Sequence, residues 1–272
     1  MTSITVNFGV IFDLDGTLVD SKTLAMSATS IALKQNGFDV VVNEKSYEFG
    51  SRYVTPKRLA WHATGQVNDV CGPVLAVTFE NYVSELVTTK NTPLYPGIAD
   101  LLQKLHDKLT LGVLSNASGG YVQNVLRHHQ LQNTFKTSFG ADDVPDAKPQ
   151  PDGLNAILVQ FAVEASNCIY VGDSPTDGMA ASGARMYSIG VTWGNHSCDE
   201  LVAHFDKVVS TVSELLSAIE LFFDNKSKPV ESTNLEESEK YTPRRRVSWQ
   251  NDVIDNEHMN KWKTDDEYWD GR

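Results

Sequence analysis

Four short apolar runs, separated by helical patterns, set the tightest limit on how this chain can fold. They are Val6–Phe12, Leu109–Leu114, Cys168–Val171 and Met186–Val191. Runs this short, bounded by turn residues, read as buried strands. Between and after them lie helical patterns. Ile98–Leu105 follows Pro96-Gly97, and Tyr121–His129 follows Gly119-Gly120. Asp152–Phe161 and Pro175–Ala184 complete the set. Strands alternating with helices imply an α/β fold with a doubly wound, mostly parallel sheet.

One stretch breaks the alternation. From Asp20 to Thr92 the chain is rich in helix formers, with helical periods at Ser21–Gln35 and Val74–Val87. The first of these stops at Asn36-Gly37, a usual helix terminator. This predicts a small helical cap, residues 20–92, inserted into a discontinuous core of residues 1–19 and 93–222. After Phe223 the composition changes. Asp224–Lys240 is dense in Lys, Glu, Ser and Asn, and it predicts a disordered linker over residues 223–243. A tail, residues 244–272, carries Trp249, Trp262 and Trp269 without helical or strand period, as expected of a segment that orders on a partner.

Polar clusters stand at the ends of the predicted strands. The first is Phe12-Asp13-Leu14-Asp15-Gly16-Thr17-Leu18-Val19-Asp20. Asp13 and Asp15 leave the strand one residue apart and so start on the same side, at the sheet edge where open α/β folds place ligands. Paired carboxylates there suit magnesium-assisted phosphoryl transfer through an aspartyl nucleophile. Leu114-Ser115-Asn116 ends the second strand, and Gly172-Asp173-Ser174-Pro175-Thr176-Asp177 ends the third. Lys148-Pro149 precedes the helix at Asp152. A lone Lys-Pro is a loop and a lone Gly-Asp is a turn, but no packing requirement places all of these along one sheet edge.

Composition excludes other classes. A net charge of −12 over 272 residues argues against a general nucleic-acid binder. No apolar run is long enough to span a bilayer, and Met1–Asn7 lacks the features of a secretory signal. The three cysteines, Cys71, Cys168 and Cys198, have neither metal-site nor disulfide spacing, consistent with a reducing compartment. A cytoplasmic or nuclear protein is expected. The pair His128-His129 reads as the end of a helix rather than as a metal site.

With all four clusters in this order, the chain resembles the haloacid dehalogenase-like hydrolases, in the subgroup with a helical cap after the first motif. The resemblance covers Val6–Phe222. Gly140–Asp152 and Trp193-Gly194-Asn195-His196-Ser197 resemble the phosphoglycolate phosphatase-like members. The resemblance implies that Asp13 attacks phosphorus and that Asp15 serves as acid and then base. Ser115, Asn116 and Lys148 would hold or support the phosphoryl group. Mg2+ would be bound by Asp13, Asp173 and the backbone carbonyl of Asp15. Asp177 would hold a metal-bound water or position Lys148. The version Thr17-Leu18-Val19-Asp20 resembles the phosphatases rather than the sugar-phosphate mutases.

Substrate choice in this group resides mostly in the cap. The loop Gly50–Arg58 offers Arg52, Lys57 and Arg58 to an anionic group, a carboxylate or second phosphate. Phosphoglycolate is the substrate the resemblance implies; a sugar phosphate, a nucleoside monophosphate and pyrophosphate are the alternatives.

The tail carries a second resemblance. Arg246-Val247-Ser248-Trp249, continued through Asp255-Asn256-Glu257-His258-Met259, resembles the inhibitor-3 regulators of type-1 serine/threonine protein phosphatase. Val247 and Trp249 would point to one side of an added strand and fill two apolar pockets. Arg244, Arg245 and Arg246 would meet an acidic rim. The cysteine cluster of that family is replaced here by Asn260-Lys261-Trp262-Lys263-Thr264-Asp265. Ser248, after Arg245-Arg246-Val247, has the shape of a kinase site. The alternative function is a regulatory subunit whose hydrolase domain is scaffold or sensor.

Overall fold

A computed structural model describes residues 7–51 and 53–227. Six parallel strands form one sheet: β1 Gly9–Phe12, β2 Thr110–Leu114, β3 Thr137–Phe139, β4 Cys168–Gly172, β5 Tyr187–Val191 and β6 Lys207–Val209. Their spatial order is β3-β2-β1-β4-β5-β6. Chain order runs outward from β1 through β2 to β3, then restarts on the other side of β1 with β4. The switch point therefore lies between β1 and β4, where a crevice opens beyond the strand ends.

Helices α1 Lys22–Gln35, α2 Glu44–Gly50, α3 Thr55–Thr64 and α4 Cys71–Leu86 form the cap. Helices α5 Ile98–His106, α6 Gly119–His128, α7 Asp152–Phe161, α8 Pro175–Gly183, α9 Cys198–Leu201 and α10 Val212–Ser227 belong to the core. β1 and β4 are buried along their whole length, which explains their unbroken apolar sequence. Alternate residues of β1 face opposite helix layers. Val10 and Phe12 join a cluster with Leu101, Val122, Val125 and Ile219, which continues into the cap through Leu24, Leu59 and Phe79. Ile11 joins the other cluster with Leu154, Ile157 and Phe161.

The chain crosses between core and cap as a bonded pair. Asp20 N donates to Pro93 O at 2.8 Å, Tyr95 N donates to Leu18 O at 3.0 Å, and Val19 bridges Leu94 in antiparallel fashion. No helix of the described residues is long and apolar enough to cross a membrane.

Four elements differ from the sequence expectation. β3 and β6 are additional strands of only three residues at the sheet edges, too short to show a period. α10 runs through Ser227 and buries Phe223, so the helix occupies the first residues assigned to the linker. Its apolar side packs on the core, while the polar residues that suggested a linker lie on its other side. Lys57 and Arg58 sit inside α3, not in a loop; Pro56 occupies the first turn of that helix, where its missing N–H is no loss. Residues 228–272, including Arg246, Val247, Ser248, Trp249, Asp255, Asn256, Glu257, His258 and Met259, lie outside the described residues, as does Arg52.

Candidate active site

Asp13 follows β1, Ser115 follows β2 and Asp173 follows β4, so parallel pairing brings three separate sequence motifs to one edge. Lys148 reaches them from the loop before α7. These four residues, with Asp15 and Asn116, line one cavity of about 100 Å³.

Lys148 is the hub. It is 5% exposed, and its Nζ lies 2.7 Å from Asp13 Oδ1 and 2.7 Å from Asp177 Oδ1. The same nitrogen donates to the Tyr170 hydroxyl at 3.0 Å and to Leu114 O at 3.2 Å. Burial opposes its charge, but Asp13 and Asp177 outweigh burial and hold the ammonium above its ordinary pKa. A buried cation is tolerable only with such close pairing.

Asp177 has both carboxylate oxygens engaged. Oδ1 accepts from Lys148 and from the Tyr170 hydroxyl at 2.9 Å. Oδ2 accepts from Ser174 N at 3.0 Å and Ser174 Oγ at 2.6 Å, in the capping box of α8. Asp173 Oδ2 accepts from Asn195 N at 2.7 Å. Two glycines make room for that carboxylate: a Cβ on Gly16 or on Gly194 would lie 2.2 Å from Asp173 Oδ2. Gly16 also has a positive φ of 82°, which disfavours any side chain there.

One oxygen from each of Asp13, Asp173 and Asp177 lies within 4.8 Å of the others. Burial first, and then the like charges of Asp177 and Asp173, raise the Asp13 carboxyl well above its usual range. Burial and Asp177 push Asp173 up to about 7. Three buried carboxylates face one ammonium, and this excess of negative charge fits a divalent cation. With Asp177 saturated by hydrogen bonds, Asp13 and Asp173 offer the available oxygens, and magnesium needs few carboxylates.

Asp15 is aimed by neighbours from two elements. Its Oδ1 accepts from Ser21 Oγ at the start of α1 and from the Tyr121 hydroxyl at 2.7 Å. Burial, then the charge of Asp15, raise the Tyr121 pKa, so the phenol stays a donor. Ser115 Oγ lies 3.5 Å from the other oxygen, Oδ2. The Asn116 amide donates to Lys148 O at 3.0 Å; it orients the lysine loop and does not aim its NH2 at the cavity.

Of the cap cations, Lys57 is exposed and does not line the cavity. Arg58 does line it and is 8% exposed.

The sequence profile of the haloacid dehalogenase-like hydrolases matches residues 10–191, two thirds of the chain. The chain belongs to the haloacid dehalogenase-like hydrolases. Within this family it is similar to phosphoglycolate phosphatase of Shigella boydii, 31% identical over 78% of this chain and 92% of the relative. The Vibrio parahaemolyticus enzyme of the same name is 29% identical over 77% and 95%. Among solved structures, CbbY of Rhodobacter sphaeroides in complex with phosphate shares the fold, with TM-score 0.68 and 22% identity over 79% of this chain and all of that one. The hydrolase is thus a phosphomonoester hydrolase similar to phosphoglycolate phosphatases. Residues 227–265 match a separate profile, described as a protein phosphatase inhibitor.

Several site residues of this hydrolase escaped the sequence reading. Tyr121 and Asn195 touch the carboxylates from elements distant in sequence, while Ser21 and Tyr170 do so from nearby; a lone Tyr or Ser carries no signal by itself. Asn195 lay inside a motif already quoted, and only the fold reveals its contact with Asp173.

Proposed function

We propose that this hydrolase cleaves a small phosphomonoester, phosphoglycolate or a close analogue, through an aspartyl-phosphate on Asp13 with Mg2+ as cofactor. The observation that carries this reading is the convergence of Asp13, Lys148 and Asp173 with Asp15 in one small cavity. Lys148 holds Asp13 Oδ1, which leaves Oδ2 to attack phosphorus and form the acyl phosphate. Asp15 gives its proton to the departing alkoxide oxygen. Asp15, now ionised, takes a proton from water as that water attacks phosphorus. Inorganic phosphate leaves and the Asp13 carboxylate is restored. Ser115 Oγ and the Lys148 ammonium supply donors to the phosphoryl oxygens, where charge is spread in the transition state. Asp13, Asp173 and the Asp15 carbonyl would hold Mg2+, which supplies charge neutralisation for the phosphoryl group. Asp177, with both oxygens occupied, positions Lys148.

A panel of phosphate esters assayed with Mg2+, alongside Asp13→Asn, tests the enzyme. Magnesium-dependent release of phosphate that Asp13→Asn abolishes is expected; no turnover on any ester would remove the reading.

The tail is assigned a second role: docking on the catalytic subunit of type-1 serine/threonine protein phosphatase. The match of residues 227–265 to a protein phosphatase inhibitor supports it. Arg246, Val247 and Trp249 would anchor the contact, and Asp255–Met259 would extend it. Capture of that phosphatase by the full chain, reduced by Val247→Ala/Trp249→Ala, is the expected result. Undiminished capture by the double variant refutes docking. Phosphate on Ser248 would put charge between the two apolar anchors, so Ser248→Glu should weaken capture. The same match favours the alternative, in which the hydrolase domain serves a regulatory subunit; turnover without effect on the bound phosphatase would count against that.

A further inference from the structure

Arg58 enters the cavity from the cap, at α3. Its guanidinium carbon stands 4.9 Å from the centroid of the Phe79 ring and 5.5 Å from that of Tyr47. Its Nε is buried and has no hydrogen-bond partner. No ion pair among the described residues engages it. Glu80, a carboxylate on the same cavity wall, instead accepts from Ser118 Oγ at 2.7 Å. A buried donor left unpaired is costly, more so when charged, and native proteins rarely keep one without a use. Among the described residues, the other lysine or arginine lining the cavity, Lys148, is already matched by Asp13 and Asp177. His62, on the same helix as Arg58, is lowered to about 4 by burial and by the Arg58 charge, so it adds no second cation.

We propose that Arg58 is the specificity residue of this site and binds a carboxylate on the substrate, at the end opposite the phosphoryl group. The inference rests on the reading that the cavity takes a phosphomonoester. Two observations favour a carboxylate. The guanidinium lies over the Phe79 and Tyr47 rings with its buried Nε unpartnered, and the planar fork of a guanidinium matches a carboxylate bidentately. The cavity, about 100 Å³, is far below the ~300–1,000 Å³ of sites for drug-sized ligands. It favours a compact substrate over one with a second bulky phosphate or a nucleoside.

The test compares 2-phosphoglycolate with ethyl phosphate, which keeps the phosphoryl end and lacks the carboxylate. The full chain with Mg2+ should prefer 2-phosphoglycolate in kcat/KM by about 10- to 100-fold. Arg58→Met should bring that ratio near one, and Arg58→Lys should leave it intermediate, since an ammonium lacks the planar fork. The ratio is the readout, because a partly unfolded variant lowers both rates alike. A ratio unchanged in Arg58→Met overturns the proposal.

Binding supplies an independent arm. By calorimetry, phosphonoacetate should bind the native chain more tightly than ethylphosphonate, and Arg58→Met should abolish the difference. Equal binding by the native chain overturns the carboxylate assignment. If neither ester is turned over but this difference is present and depends on Arg58, the phosphatase reading fails while the Arg58 assignment stands. A stronger, Arg58-dependent hold on methylenediphosphonate than on phosphonoacetate assigns the subsite to a second phosphate and refutes the carboxylate.

Discussion

On the core side of the cavity, Lys148 divides its protons between Asp13 and Asp177, whereas on the cap side Arg58 has the rings of Phe79 and Tyr47 against it and, among the described residues, no ion-pair partner. Both cations are buried, yet one is neutralised inside the protein, and the other is proposed to take its counter-charge from the substrate. Charges that must act on every substrate are fixed by the sheet edge. On the reading proposed above, the charge that selects among substrates is left open on the inserted helices.

This contrast can be broken most sharply on the core side. Asp13→Asn should lower kcat by about 10³-fold or more, because the attacking oxygen is lost; stopped assays of phosphate release check it. Lys148→Met should leave Asp13 and Asp177 buried without their cation and destabilise the fold by about 3–5 kcal/mol, read from urea midpoints. A small effect there would mean that the core wall is no better neutralised than the cap wall.

The cap side gives a pH-dependent signature. The folded chain keeps His62 neutral down to about 4, against an ordinary histidine value of 6.5. The unfolded chain takes up this proton first as pH falls. His62 therefore contributes stability above pH 6.5 that is lost between about 6.5 and 4, amounting to about 3 kcal/mol. His62→Gln should flatten that part of the native stability profile, measured by denaturant unfolding at pH 7 and 4.5. The smallest effect is expected from Tyr121→Phe. It removes one of two hydroxyl donors to Asp15 Oδ1 and should lower kcat several-fold, roughly 5- to 10-fold, with little change in KM.

Much of the core was legible because its signals are local. Asp13, Ser115 and Asp173 stand directly after apolar runs, and a parallel sheet must bring such ends together. Lys148 was legible through its order among them. Tyr170 was not: it sits in mid-strand, and only the packing of the Lys148 loop under the sheet reveals its hydroxyl as a partner. Arg58 was half legible. The sequence offered it as a candidate anion contact, and the structure places it on the cavity wall, but its neighbour Lys57 was given equal weight. Helical geometry separates them, turning one into the cavity and the next toward solvent. Pro56 in the first turn was the available signal that a helix starts there. The edge strands β3 and β6 were invisible because three half-exposed residues show neither apolar run nor period.

The two crossings between core and cap, joined through Val19 and Leu94, start within a few residues of Asp15. Asp15 bridges Val19 on one side and receives the hydroxyl of Ser21 on the other. Any swing of the cap about this narrow ribbon would draw Ser21 away from Asp15. Admission of substrate and alignment of Asp15 would then be tied to one movement. Under the mechanism proposed above, such coupling would be a means of timing: it would set how long Asp15 is held ready to activate water.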